Sequence, residues 1–227
     1  MYFIGFDLGS SSVKACLLEA ETGKMVASAF YPETEMAISA PQAGFAEQNP
    51  LQWWENACKA SKRVMELSSV HPQDVKAIGI AYQMHGLVVV DQNMEVLRPS
   101  IIWCDSRAVG IGNQALEGIG KEKALAHLLN SPGNFTASKL AWVKENEPDV
   151  YAKVHKMMLP GDYLAAKMTN EITTTNSGLS EGILWDFLED KPAELLLQYY
   201  GFSSTVLANN VPTFGLQGTV TKSAAEA

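Results

Sequence analysis

Asp7 closes an otherwise apolar opening run, Tyr2 to Phe6, and is followed almost at once by Gly9, Ser10, Ser11 and Ser12. A carboxylate so placed can hold Mg²⁺ directly or through water, because hard cations take oxygen ligands. A turn of one glycine and three serines offers closely spaced backbone N–H groups and hydroxyls, a set that can cradle a phosphate. The plain alternative is a β-hairpin whose turn is merely rich in Gly and Ser. The acid weighs against it, since burying an unpaired charge at the end of an apolar strand is costly. Lys14, two residues past the turn, either faces a phosphate or stands in solvent. A second cluster is Gln83-Met84-His85-Gly86. His85 can donate or accept a hydrogen bond to a ligand hydroxyl, and Met84 offers a soft apolar wall; the alternative is a core methionine beside a satisfied loop histidine. A third is Trp103-Cys104-Asp105-Ser106-Arg107. Either Asp105 binds hydroxyls with Arg107 orienting it through a charge-assisted bond, or Asp105 caps a helix starting near Ser106 and Arg107 pairs on the surface.

These residues need elements to hold them. Tyr2 to Phe6 and Val13 to Leu18 read as strands on either side of the Gly/Ser turn, and Met25 to Tyr31 as a third strand after Glu21-Thr22-Gly23. Asn49-Pro50 marks a helix start, with Leu51, Trp54, Cys58, Ser61 and Met65 at helical spacing on the expected buried face. Val75–Ala81 and Leu87–Asp91 are apolar runs flanking the Met84-His85 loop, which places that loop at a sheet end where open α/β folds bind ligands. Val96–Trp103 adds a short extended stretch. Ser106 to Leu129 is helical with a break near Gly118-Ile119-Gly120, and Thr136 is expected to cap a helix through Val143. Met157–Leu159 reads as a brief strand and Asp162–Met168 as a helical turn with Asp162 as its cap. Ile172–Leu179 reads as irregular or extended, and Pro192–Tyr200 as a helix closed by Gly201. The five tryptophans, Trp103 among them, are expected mostly in the core; His71, His127 and His155 read as surface or packing residues. Strands first, then alternating helix and strand, predict an α/β sheet with helices on its faces.

Composition narrows the function classes. The 227 residues are 47% hydrophobic, enough for a core. A net charge of −8 and a pI near 5.0 argue against a broad nucleic-acid or anionic-membrane surface, which needs a basic patch. Three widely spaced cysteines without a CxxC fit a reduced, cytoplasmic protein with no disulfide framework or zinc site. No leader pattern opens the chain, and no apolar run approaches the ~20 residues of a membrane helix. At the other end, Gly218-Thr219-Val220-Thr221 reads as a strand entering a helix that Ser223 would cap.

Asp7-Leu8-Gly9-Ser10-Ser11-Ser12 resembles the first phosphate motif of the superfamily of sugar kinases, actin and heat-shock chaperone ATPases. More narrowly, the chain resembles the FGGY carbohydrate kinases and, within them, the xylulokinases. Gln83-Met84-His85-Gly86 matches the stretch that contacts the ketose there, Trp103-Cys104-Asp105-Ser106-Arg107 resembles the family's Trp-x-Asp-x-Arg, and Phe135 to Trp142 matches most of another family pattern. Asn134 departs from it and weakens a glycerol reading; Lys139 and Trp142 read as fold-holding. The resemblance implies a ribonuclease H-like domain of the actin/hexokinase superfamily, a mixed sheet flanked by helices, spanning residues 1–227 as the N-terminal sugar- and phosphate-binding half, with a second lobe expected to follow. It implies ATP and Mg²⁺ as cofactors and transfer of the γ-phosphoryl to a pentulose such as D-xylulose, with ribulose, a polyol or a deoxy sugar as alternatives. Asp7 would be catalytic and anchor the hydrated metal, Gly9, Ser10, Ser11 and Ser12 would bind phosphate, and Met84, His85 and Asp105 would bind the sugar. Residues 1–227 alone are expected not to turn over. A homodimer of the full-length protein is left open, and a non-catalytic nucleotide switch is the reading from another class.

Overall fold

A computed structural model describes all of residues 1–227. Strands β1 (Tyr2–Leu8), β2 (Val13–Glu19) and β3 (Met25–Tyr31) form an antiparallel meander. A two-residue strand β4 (Glu47–Gln48) leads into helix α1 (Pro50–Ser68). Strand β5 (Val75–Tyr82) then pairs parallel to β1, completing a mixed sheet of order β3-β2-β1-β5. Strands β6 (Val88–Val90) and β7 (Ser100–Ile101) precede the helices α2 (Val109–Ile119), α3 (Lys121–Leu128), α4 (Thr136–Asn146) and α5 (Pro148–Tyr151). After them come β8 (Lys156–Met158), α6 (Pro160–Thr169), β9 (Thr173–Thr175) and α7 (Asn176–Glu181). The rest is β10 (Trp185–Asp186), β11 (Lys191–Pro192), α8 (Glu194–Tyr200), β12 (Asn209–Val211) and α9 (Lys222–Glu226). No helix is long and apolar enough to cross a membrane.

The sheet and α1 enclose one core, with Ile4, Phe6, Leu8, Val13 and Leu17 facing Trp53, Ala57, Ala60 and Val64. A second core gathers around α4, α8 and the β10 region. Strand β6 is the wall between them. Its alternating side chains send Val88 and Val90 into the first core and Leu87 and Val89 into the second, as a period of two requires. Met157 and Met158 on the paired β8 divide the same way.

Asn49 caps α1, its Oδ1 accepting from Leu51 N at 3.0 Å, with Pro50 in the first turn as expected. The buried face differs from the expected one. It runs through Trp53, Asn56, Ala57, Ala60 and Val64, while Leu51 is exposed and Trp54, Cys58, Ser61 and Met65 are half-buried. The alanines let the helix lie close on β2 and β3, and a reading that favours large residues rotates the face by about one position, or roughly 100°. Three caps also move. Thr136 is the first residue of α4 rather than its cap, Thr221 rather than Ser223 caps α9, and α2 begins at Val109 with no side-chain cap. Residues 172–179 are extended only in part: β9 is the expected extended stretch, but 176–179 enter the helix α7, whose cap is Thr175 accepting from Gly178 N at 3.1 Å.

Candidate active site

Leu8 on β1 faces Val13 on β2 and Tyr82 on β5 in register. The Gly9–Ser12 turn and the Gln83–Gly86 loop therefore leave the same end of the sheet. Gln83 N ties them, donating to Leu8 O at 2.7 Å. Asp7 sits one residue before this end, half-exposed, and accepts from Lys14 Nζ at 2.9 Å, its antiparallel partner. Lys14 thus lies against the acid. An exposed pair of this kind contributes only about 0.2–1 kcal/mol, so a divalent cation with phosphate ligands can displace it.

The turn is held by its carbonyls. Gly9 N donates to Ser12 O at 3.0 Å, Met36 N to Ser11 O at 2.7 Å and Gln48 Nε2 to Ser10 O at 2.6 Å. The amides of Ser10, Ser11 and Ser12 donate to no acceptor in the chain. Three consecutive N–H groups left open are what an anion cradle needs and what a plain hairpin turn does not require. Gln48 extends the frame, its Oε1 accepting from Trp53 Nε1 at 3.3 Å and from Gln83 Nε2 at 3.2 Å.

Met84 is 55% exposed. His85 adopts a left-handed backbone, φ 59°. Its N–H donates to Glu181 Oε1 on α7, its C=O accepts from Lys139 Nζ at 2.7 Å, and its ring meets Phe135 edge-on at 4.2 Å between centroids. Gly86 and Gly161 permit the close approach of α6: a Cβ on Gly86 would lie 2.4 Å from Pro160, and one on Gly161 2.0 Å from the Tyr82 ring. α6 starts two residues before Asp162, at Pro160 with Leu159 as its N-cap, so Asp162 is not the cap but the third helical residue, reaching back to accept from Leu159 N at 3.1 Å; burial pushes its carboxyl up to about 7 against that bond and one from Thr174.

Asp105 is closed to solvent rather than open to a ligand. Its carboxylate is fully buried and accepts from Ala46 N at 2.6 Å, from Arg107 N at 2.8 Å and from the Arg107 guanidinium at 2.7–3.1 Å. Neither expected alternative holds unchanged: α2 starts three residues beyond Ser106, and Arg107 is 1% exposed rather than on the surface. Arg107 is sandwiched between Phe45 and Trp142, 3.7 and 4.7 Å from the ring centroids, and also meets Glu47 at 2.8 Å. The network continues through Glu47 to Arg98 at 2.5 Å and from Arg98 to Glu147 at 2.7 Å. Lys139 joins the second and third loops, donating to His85 O and, at 3.0 Å, to Ile102 O. Burial pulls its ammonium down to about 8, against the opposing pull of Asp105.

The sequence reading misses two cleft residues. Trp103, expected in the core, is 49% exposed and its Nε1 donates to Ser10 Oγ at 3.4 Å. Glu181 carries no local signal, because its partner His85 is 96 residues away. Four buried side-chain polar atoms lack a hydrogen-bond partner: Gln83 Oε1 and His85 Nδ1 belong to the second loop, Asn134 Oδ1 to the loop before α4, where Asn134 Nδ2 donates to Asp105 O, and the fourth is Ser100 Oγ. His127, elsewhere in the chain, pairs with Asp186 at 2.9 Å.

The family model for the FGGY carbohydrate kinases, N-terminal domain, matches residues 2–227. Xylulose kinase of Escherichia coli strain K12 is 38% identical over 198 residues, 86% of this chain and 39% of that protein. Xylulose kinase of Bacillus subtilis strain 168 is 34% identical over 212 residues, 90% of this chain and 40% of that protein. The chain thus spans about two-fifths of the length of these curated relatives. Among solved structures, a xylulose kinase from Rhodospirillum rubrum superposes with a TM-score of 0.90 at 25% identity, covering 100% of this chain and 46% of that one. One described as a xyloylose kinase from Brucella ovis gives 0.87 at 30% identity, also over 100% and 46%. The ribonuclease H-like fold expected from the opening motif is the fold these structures share with the chain.

Proposed function

From the premise that this chain belongs to the FGGY family of carbohydrate kinases, we propose that it is the sugar- and phosphate-binding half of an ATP-dependent kinase. Its acceptor is a pentulose such as D-xylulose, phosphorylated on the 5-hydroxyl. The observation that carries the reading is the shared exit of the Gly9–Ser12 turn and the His85 loop, tied by the Gln83 N–H to Leu8 C=O bond. That arrangement brings three open amides and an imidazole-bearing loop to one end of one sheet, which supports a reaction in which a phosphate and an acceptor hydroxyl must meet.

The open amides of Ser10, Ser11 and Ser12 hold phosphate oxygens, while Gln48 and Met36 hold the turn by its carbonyls and Trp103 donates to the Ser10 hydroxyl. Met84 and His85 bind the sugar. Asp105 serves the site indirectly, holding the Trp103–Arg107 loop against Ala46 and Arg107. The donor set fits Mg²⁺ that keeps most of its waters: one half-exposed carboxylate, Asp7, that belongs to no group of three or more His, Cys, Asp or Glu side chains. When bound there, Mg²⁺ supplies charge neutralisation on the phosphates. The base belongs to a second lobe, so residues 1–227 alone do not turn over.

The test is a coupled ADP-release assay on the full-length protein with D-xylulose, D-ribulose, a deoxy sugar and glycerol. The highest kcat/KM is expected for a pentulose. Highest activity on glycerol, or none on any sugar, overturns the proposal.

A further inference from the structure

The side chain opposite His85 has a role of its own. His85 is a non-glycine residue with a left-handed backbone, a conformation that persists only where the surroundings over-determine it. Here two side chains of opposite charge grip one residue. Glu181 Oε1 accepts from the His85 N–H, and the fully buried Lys139 donates to its C=O. The same Glu181 oxygen lies 3.3 Å from His85 Nδ1, a ring nitrogen that is sealed from solvent and has no hydrogen-bond partner. The oxygen lies off the direct line of the Nδ1 bond, so no hydrogen bond forms, but the electron-rich face of an unprotonated Nδ1 beside a carboxylate is still repulsive. A protonated Nδ1 turns that contact into attraction and leaves Nε2 with the free lone pair.

We propose that Glu181 is a positioning residue that fixes the His85 peptide and selects the Nδ1–H tautomer, so that Nε2 accepts a hydrogen bond from a hydroxyl of the sugar. The inference rests on the reading that His85 contacts the sugar, and it adds both the partner that orients the ring and the direction of the bond. A sugar O–H that donates to Nε2 is matched only by this tautomer. Phe135 against the ring edge leaves the imidazole little freedom to flip and offer Nδ1 instead.

The test uses the full-length protein, D-xylulose as probe, and the variants Glu181→Ala, Glu181→Gln, His85→Ala and the His85→Ala/Glu181→Ala double. Glu181→Ala is expected to raise the KM for D-xylulose about tenfold with kcat nearly unchanged, the scale of one lost oriented hydrogen bond. The ¹⁵N resonances of His85 are expected to shift from the Nδ1–H towards the Nε2–H pattern. Glu181→Gln, which keeps an acceptor for the His85 N–H, shows a smaller rise in KM. The double variant is expected to be no worse than His85→Ala alone. If His85→Ala weakens the sugar but both Glu181 variants leave KM and the ¹⁵N pattern unchanged, the inference is overturned. Additive losses in the double variant overturn it too, because Glu181 would then act other than through His85. If His85→Ala leaves KM unchanged, the sugar reading of the loop fails instead, and the ¹⁵N pattern of Glu181→Gln still decides whether Glu181 sets the tautomer.

Discussion

Replacing Lys139 with Met separates two opposing effects that can both be estimated from the structure. Lys139 is fully buried, and its ammonium donates to the carbonyls of His85 and Ile102 at 2.7 and 3.0 Å. Bonds from a charged donor are worth about 1.5–3 kcal/mol each, so losing both costs about 3–6 kcal/mol. Against this, burial lowers the lysine from the 10.5 of a solvated amine to about 8. Keeping it charged in the folded state thus costs about 3 kcal/mol, a cost that Met removes. At pH 7 the net loss in Lys139→Met is therefore only about 0–3 kcal/mol. The pH dependence is the sharper readout. The folded state binds the proton more weakly than the unfolded state, so the charging cost is present in full below pH 8. It is relieved as pH rises from 8 towards 10.5, because the unfolded chain then holds more protons. The neutral amine still has N–H groups for both carbonyls. The stability gap between the original protein and Lys139→Met is expected to widen by about 2–3 kcal/mol between pH 7 and pH 10. Urea denaturation followed by tryptophan fluorescence at pH 7, 8, 9 and 10 measures it, and other titrating groups cancel in the comparison. A gap that stays constant across this range, or narrows, refutes the reasoning.

Two further outcomes follow from the site and its packing. In the full-length protein Asp7→Ala is expected to lower kcat by at least about 10²-fold, the scale of one preorganised electrostatic partner, while thermal stability stays nearly unchanged because the Asp7–Lys14 pair is half-exposed; kcat within a few fold of the original would remove Asp7 from the phosphoryl-transfer machinery. Gly161→Ala would bring a Cβ to 2.0 Å from the Tyr82 ring, so α6 must move off β5 at a cost of roughly 1–3 kcal/mol, seen as a fall in Tm of about 2–12 °C, and an unchanged Tm would show that Tyr82 yields freely.

What was legible in the sequence is local. The Asp7-to-Ser12 turn, the Asn49-Pro50 helix start and the Gly120 break each depend on residues within a few positions, and each stands where expected. The buried face of α1 was read from large side chains, and the close packing of Ala57 and Ala60 on the sheet overrode that pattern. Trp103 looked like core because tryptophan usually is. Its exposure follows from a loop held in place by the buried Asp105 and Arg107. Glu181 was invisible because residues 172–179 are rich in Thr and Ser, which favour caps and turns over helix interiors; the Thr175 cap turns that same composition into a helix start.

The parts of the cleft that sequence does not reveal are its supports, and they share a physical character. Gln48 ties the Gly9–Ser12 turn to Gln83, Lys139 ties the His85 loop to Ile102, Glu181 holds the His85 peptide, and Asp105 with Arg107 pins the Trp103 loop. All are polar or charged, most are buried, and each loses far more if its partner moves away than it gains by being present. The three loops leave different strands and contribute no residue to either hydrophobic core, so hydrophobic packing alone would not hold them in register. Long-range buried polar ties do, because an unsatisfied amide, carbonyl or charge in the interior costs more than a small shift in packing. Loops held in this way are ordered by the chain itself, so a ligand that docks among them need not supply the free energy of ordering them.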